Sequence, residues 1–391
     1  MRHERQVELL QRLADSGPHF QGMHAPHSMI NPASAYTDPD RFARELRVLF
    51  RQGPTLLGLT CEMPNPGDYL STTLDGVPVF AVRQPDGSIR AMVNACRHRA
   101  APLVPDRAGN LGRSIVCNYH GWTYDPDGIL RARPLSAGAF DDVTLPCNLH
   151  PVAVAEKYGL IFVRAGSTDP IDVDETLGGA QDDLGSFGLD RYTHIETRTN
   201  TWDMNWKLIL DTFTESYHIR WLHKNTLAGT FNSDCVIYEG FGRNFLSVGL
   251  RADVLDETAK PQDEWSLIPY GTIQYFLVPN ALVVHQLDHV EVWRLEPLGV
   301  DKVRTHTSLF APEPPATEKA QRYWTKNLDL LLKVTGTEDF PTMERIQAAM
   351  ASGAIPEVVY GRIEPPLIHF HTAVNEALAQ GDDTALATAE A

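Results

Sequence analysis

NACRHRAAPLVPDRAGNLGRSIVCNYHGW, residues 94–122, sets Cys96 two positions before His98 and Cys117 three positions before His120, with eighteen residues between these two hooks. Each hook offers one thiolate and one imidazole, and the small residues and turn formers of RHRAAP and YHGW let backbone amides approach sulfur. Two sulfurs and two nitrogens make a metal site, and a structural zinc tetrahedron would use the same atoms. The short Cys-x-His hook is unusual for a zinc finger, however, and its frame is β-rich rather than a hairpin followed by a helix. Short β-type runs at 54–59, 77–82, 90–94, 114–117 and 159–163 are punctuated by PNPGD, LDG, PDG and DPDG, which are turn sequences. A small antiparallel domain over 51–165 follows.

Working outward, 391 residues are more than one core readily serves, so two domains are expected. The first fifty read as helical: Val7, Leu9, Leu10 and Leu13 share a face, and Asp38 is a candidate cap for a second helix over 39–50. The Gly, Asp and Ser-rich stretch at 166–190 reads as a linker. Beyond it come a helical run (202–223), strands at 236–239, 244–250, 272–278, 281–285, 291–297 and 303–310, and helices at 317–333 and 341–350. The Ala-rich end, 384–391, reads as frayed. A net charge of −16 argues against nucleic acid or an anionic membrane as partner. The polar start shows no export signal and no run reaches the length of a membrane span, so a cytoplasmic location is expected. Five scattered cysteines do not make a disulfide framework.

A second constellation lies in NWKLILDTFTESYHIRWLHKN, residues 205–225. His218 and His223 are five apart, which on an ideal helix separates them by roughly 140°. A helix aiming both at one metal must be broken or bulged between them. One carboxylate would complete a facial triad that leaves positions open for O₂. EDFPTMERIQAAM, residues 338–350, supplies Asp339 as the best candidate; spacing alone does not separate it from Glu338, whose plain reading is a solvated helix-cap carboxylate.

Together these motifs resemble the alpha, or catalytic, subunit of Rieske non-haem iron ring-hydroxylating oxygenases. The matching positions of the second motif are Asn205, Trp206, Lys207, Glu215, Tyr217, His218, His223, Glu338, Asp339, Glu344 and Gln347. The resemblance implies an α+β fold: a small antiparallel β Rieske domain, then a helix-grip catalytic domain with a curved antiparallel sheet over 190–380, against which the helical segment 1–50 packs. It implies a [2Fe-2S] cluster with Cys96 and Cys117 on one iron and His98 and His120 on the other, which raises the potential above an all-cysteine cluster. A mononuclear Fe(II) would be held by His218, His223 and Asp339. Glu215 would bridge an iron-ligand histidine to a cluster histidine, with Asp211 in support. Thr212 stands where the family has asparagine.

The resemblance further implies a homotrimer, with or without a small beta subunit, in which His120 of one chain faces Glu215 of the next. A separate reductase, with or without a ferredoxin, would deliver electrons from NAD(P)H, because the chain has no GxGxxG motif after a strand. Phe231, Val236, Leu246, Leu250, Phe276, Val283, His285 and Trp293 are expected to line the substrate cavity. The substrate is expected to be small and apolar, an aromatic ring first. O- or N-demethylation, hydroxylation of a quaternary amine, or a non-catalytic electron-transfer or structural metalloprotein are the alternatives.

Overall fold

The computed structural model describes residues 1–389, and their contacts divide into two compact units, one of residues 49–176 and one of residues 1–48 with those from 177 onward. Glu390 and Ala391, part of the Ala-rich end expected to fray, lie outside the described residues. Among the described residues no helix is long and apolar enough to cross a membrane.

The 49–176 unit is built of strands. Seven form an antiparallel sheet in the order Thr55–Leu59, Leu160–Arg164, Pro151–Lys157, Ile89–Val93, Val77–Arg83, Asp68–Leu74, Ala108–Asn110. Three short strands, Ile115–Val116, Thr123–Tyr124 and Leu130–Ala132, make a second sheet. The strand Val77–Arg83 is buried on both faces, which is why VPVFAVR reads as nearly continuous apolar sequence. Phe80 and Val82 enter one core with Cys96, Cys117, Trp122 and Tyr124, whereas Val79 and Ala81 enter another with Leu57, Ile161 and Val163. Asp68–Leu74 and Pro151–Lys157 escaped the sequence reading because each mixes buried and exposed positions without alternation.

The other unit carries a second seven-stranded antiparallel sheet. Its strands are β1 (Thr193–Trp202), β2 (Phe231–Phe241), β3 (Asn244–Arg251), β4 (Gly271–Leu277), β5 (Ala281–Gln286), β6 (His289–Gly299) and β7 (Lys302–Ala311). The order β1-β7-β6-β5-β4-β3-β2 is a meander with β1 added at the far edge. Helices α1 (Trp206–Phe213), α2 (Ile219–Leu222), α3 (Glu318–Val334), α4 (Phe340–Ala351) and α5 (Pro365–Ala389) accompany the sheet. The N-terminal helix His3–Ala14 buries Gln6, Leu9, Leu10 and Leu13, and Asp38 caps Pro39–Glu45 by accepting from Asp40 N and Arg41 N.

Two expectations change. The stretch read as a linker contains helices Val173–Leu177 and Gln181–Phe187, with Leu177, Ala180, Leu184 and Leu189 wholly buried, so four well-spaced apolar residues outweigh the Gly and Asp around them. The run 202–223 is not one helix. Trp202 ends β1, Asn205 caps α1 by accepting from Lys207 N, and Thr214 Oγ1 donates to Asp211 O at the helix end.

Candidate metal centres and substrate cavity

Cys96 and Cys117 open matched turns. Cys96 N donates to Ala101 O and Ala100 N to Cys96 O; Cys117 N donates to Trp122 O and Gly121 N to Cys117 O, each at 2.8 or 2.9 Å. The penultimate residue of each turn is left-handed, Ala100 at φ 57° and Gly121 at φ 70°. Both cysteines are buried. His120 is exposed and His98 half-buried, and their Nδ1 atoms approach to 3.1 Å. Inward sulfurs and outward imidazoles with facing Nδ1 atoms fit a cluster whose two irons differ in ligand type. No helix follows the second hook, as a zinc finger would require; it returns directly into the strand Thr123–Tyr124.

Tyr124 serves this site. Its hydroxyl accepts from Arg97 N at 3.1 Å and lies 3.2 Å from Cys96 Sγ, so its own proton can point at sulfur. Burial pushes the Cys96 thiol up, and the Tyr124 hydrogen bond opposes this. Trp122 stacks on His98 with ring centroids 5.1 Å apart.

In the other unit, His218 and His223 bracket the one-turn helix α2. His223 leaves helical geometry at φ −94° and ψ 26°, which swings its ring toward His218, 5.2 Å between centroids. The break required by their spacing is therefore present. Asp339 ends a π-helical turn, Thr335–Asp339, set between α3 and α4. Ligand atoms of His218, His223 and Asp339 all lie within 4.8 Å of one another. Asp339 Oδ1 is 3.0 Å from His223 Nε2 and 3.5 Å from His218 Nε2, yet this buried oxygen has no hydrogen-bond partner among the described residues. An orphaned buried carboxylate oxygen facing two imidazole nitrogens is costly unless a cation sits between them. The residues fit a facial-triad metal.

The opposite ring nitrogens are both held by carboxylates. His218 Nδ1 meets Glu215 Oε1, and His223 Nδ1 lies 2.8 Å from Glu338 Oε2. Such contacts fix the tautomer that leaves Nε2 free for metal. Burial would lower His223, but Asp339 and Glu338 outweigh it and hold its pKa above the usual histidine value. Glu338 is thus not a solvated cap; it also accepts from Thr226 Oγ1 at 3.0 Å. Its role was hidden in the sequence because only the π-turn brings it to His223.

The remaining motif residues stitch the site to the fold. Gln347 Oε1 accepts from Asn205 N and Glu344 Oε1 from Asp203 N, tying α4 to the start of α1. Lys207 Nζ donates to Glu45 at 2.6 Å and Trp206 Nε1 at 2.9 Å, all three wholly buried. Asp211 accepts from Tyr36 OH and contacts His371 Nε2 at 3.0 Å. Thr212 Oγ1 donates back to Leu208 O at 2.9 Å, which satisfies it within its own helix. Tyr217 is exposed.

A cavity of about 240 Å³ includes Glu215 and the triad. Its helix side sets Phe213, Leu227, Leu330, Leu331 and Val334 beside the triad, Ser216, Asn327 and Thr335; its sheet side is polar, with Ser247, Thr272, Gln274, Gln286, His289 and Glu291. Of the residues expected to line it, Phe231 and Val236 do. Strand alternation sends Leu246, Leu250, Val283 and His285 to the opposite face, where His285 stacks on Phe187 at 4.9 Å and burial lowers its pKa to about 4. Phe276 and Trp293 share the cavity face but are buried against other rings, Phe245 at 4.4 Å and Phe213 at 5.1 Å. The polar face is not legible in the sequence because each strand offers an apolar set at the opposite parity that matches a pocket lining equally well.

Residues 54–146 match the family model of the Rieske [2Fe-2S] domain and residues 189–380 that of the ring hydroxylating alpha subunit catalytic domain. Putrescine 2-hydroxylase of Ralstonia nicotianae is 30% identical over 296 residues, 72% of this chain and 76% of that protein. The glycine betaine monooxygenase oxygenase subunit of Chromohalobacter salexigens is 33% identical over 209 residues, 53% of this chain but only 46% of that relative's length. A solved structure of the quaternary ammonium Rieske monooxygenase CntA superposes with a TM-score of 0.77 at 19% identity, covering 94% of this chain and 98% of that one, a likeness of fold. A β domain with a cysteine-histidine cradle, a curved antiparallel sheet with a buried His/Asp triad, and these relatives lead to one conclusion: the chain belongs to the Rieske non-haem iron oxygenases, as an alpha subunit with a [2Fe-2S] cluster and a mononuclear iron.

Proposed function

We propose that this oxygenase hydroxylates a small amine, inserting one oxygen atom of O₂ into a C–H bond while the other leaves as water with two electrons and two protons. The observation that carries this reading is the polar sheet face of the cavity, where Glu291 is only 2% exposed. A buried carboxylate in a substrate cavity suits a cationic substrate better than a hydrocarbon ring. The relatives named for glycine betaine and putrescine support it. The apolar residues of the helix side and the family model's description as ring hydroxylating favour a second reading, oxygenation of an aromatic ring.

In this proposal Cys96 and Cys117 hold one cluster iron and His98 and His120 the other, and His218, His223 and Asp339 hold the mononuclear iron. That iron supplies O₂ activation when bound. Glu215 and Glu338 keep the protons of His218 and His223 on Nδ1, so that both imidazoles present Nε2. Leu330, Leu331 and Val334 exclude water above the substrate, and the sheet orients it. Glu215 would also link to His120 of a neighbouring chain in a homotrimer, and its half-buried carboxylate together with the exposed ring of His120 supports that role. A reductase, with or without a ferredoxin, would supply electrons from NAD(P)H; a small beta subunit is compatible with the assembly.

The test is metal content followed by turnover. Anaerobically purified protein should carry about three irons and two acid-labile sulfides per chain, with His218→Ala keeping the colour and losing one iron and Cys96→Ala losing the colour. With electrons supplied, amines should give O₂ consumption matched by hydroxylated product. Matched turnover of an aromatic ring and none of any amine would replace the proposal with the second reading.

A further inference from the structure

We infer that Glu291, with Gln274 two strands away on the same rung of the sheet, forms an ammonium subsite for substrates that retain at least one N–H, so that primary to tertiary amines are accepted and fully methylated, quaternary ones are disfavoured. The inference rests on the amine reading above and sharpens it.

Two rungs of the sheet cross the cavity floor. One runs through Gly249, Thr272, Gln286 and His289, and the next through Ser247, Gln274, Val284 and Glu291. At the β6 end, His289 lies between two carboxylates, Nδ1 at 2.9 Å from Asp288 Oδ1 and Nε2 at 3.2 Å from Glu291 Oε1. Burial would lower His289, yet Glu291 and Asp288 hold its pKa above the usual value. Asp288 stands outside the cavity lining and accepts from Tyr323 OH at 2.9 Å, so Glu291 is the carboxylate of the sheet side, with His289 at its Oε1. Among the described residues Glu291 is further met, at its Oε2, by Gln286 Nε2 at 3.2 Å, and a carboxylate has about four acceptor directions.

A second observation points the same way. Gln274 Oε1 lines the cavity and is buried without a hydrogen-bond partner among the described residues. An unfilled acceptor in a cavity calls for a donor on the ligand. A quaternary ammonium has none to give and is held by aromatic faces, Trp best of all. Here the aromatic rings of the lining, apart from the imidazoles, are Phe213 and Phe231. On the sheet side the unfilled group is thus an acceptor, Gln274 Oε1, which with Glu291 suits N–H donors, while the unfilled donor of the lining, Asn327 Nδ2, belongs to α3.

The test is equilibrium binding by calorimetry to the intact, iron-loaded protein with one carbon skeleton at four methylation levels: butylamine, N-methylbutylamine, N,N-dimethylbutylamine and butyltrimethylammonium. The expected result is a step of at least tenfold weaker binding at the last methylation, where the final N–H disappears, and a flattened series in Glu291→Gln. Iron content and the visible spectrum certify that the variant is loaded, and the wild-type step stands without it. Binding of the quaternary ion as tight as that of the primary amine overturns this inference while leaving the amine reading intact. Binding of toluene with none of the four cations overturns both.

Discussion

Glu338 and Asp339 are neighbours in the chain, yet they meet opposite nitrogens of one imidazole: Glu338 Oε2 is 2.8 Å from His223 Nδ1, and Asp339 Oδ1 is 3.0 Å from its Nε2. In a regular helix consecutive residues point about 100° apart. The π-turn at Thr335–Asp339 adds a residue to the turn and lets both carboxylates clasp the ring.

The two carboxylates should therefore be separable. Asp339→Asn removes the charge that faces the metal and should cost the mononuclear iron outright. Glu338→Gln should weaken iron retention about 10- to 100-fold, since it only orients a ligand. Iron remaining after dialysis against a graded chelator, at constant cluster absorbance, reads both. Full iron retention in Asp339→Asn would remove it from the ligand set.

Tyr124→Phe should leave the cluster assembled and lower its reduction potential. The hydroxyl 3.2 Å from Cys96 Sγ withdraws electron density from sulfur and so favours the reduced cluster. A lost hydrogen bond of about 1 kcal/mol corresponds to a fall on the order of 40 mV for one electron. Protein-film voltammetry measures it, and an unchanged potential would show that the hydroxyl donates elsewhere.

Lys207→Met should destabilise the catalytic unit by about 3–5 kcal/mol, because Glu45 would be left wholly buried with its remaining partners Arg41 and Trp206. Burial lowers the Lys207 pKa and Glu45 opposes the drop, so the pair exists as a unit. Pairing the substitution with Glu45→Gln should recover much of the loss. Urea unfolding of the single and double variants decides it; a double variant no better than the single would contradict the charge argument.

Stability should fall as pH rises through the native pKa of His289. That pKa is raised, so the imidazolium stabilises the fold fully below the ordinary histidine value of about 6.5 and its contribution is lost above. His289→Gln should flatten the dependence of the unfolding midpoint on pH above about 6.5. A slope identical to wild type there would place the titration on another group.

What was legible in the sequence was local. The hooks at Cys96–His98 and Cys117–His120 are legible because a short turn must carry both ligands, and matched turns closing at Ala101 and Trp122 do so. The break between His218 and His223 was legible because five residues do not bring two side chains to one face of a helix. The cap at Asp38 is likewise a matter of neighbouring residues.

What only the tertiary structure decided depends on partners far away in the chain. THIETRTNTW, half-exposed along its length, is a strand because β7 supplies nine paired positions, not because its own pattern asks for one. Whether Leu246 or Ser247 meets the substrate depends on which sheet face the helices cover, and alternation alone leaves that choice open. Glu338 becomes a support for His223 only when a π-turn 115 residues downstream folds back onto it. Spacing names the residues that can bind metal, because ligand geometry is short-range; packing chooses the cavity face and its charge, because those follow from long-range pairing whose register no single segment contains.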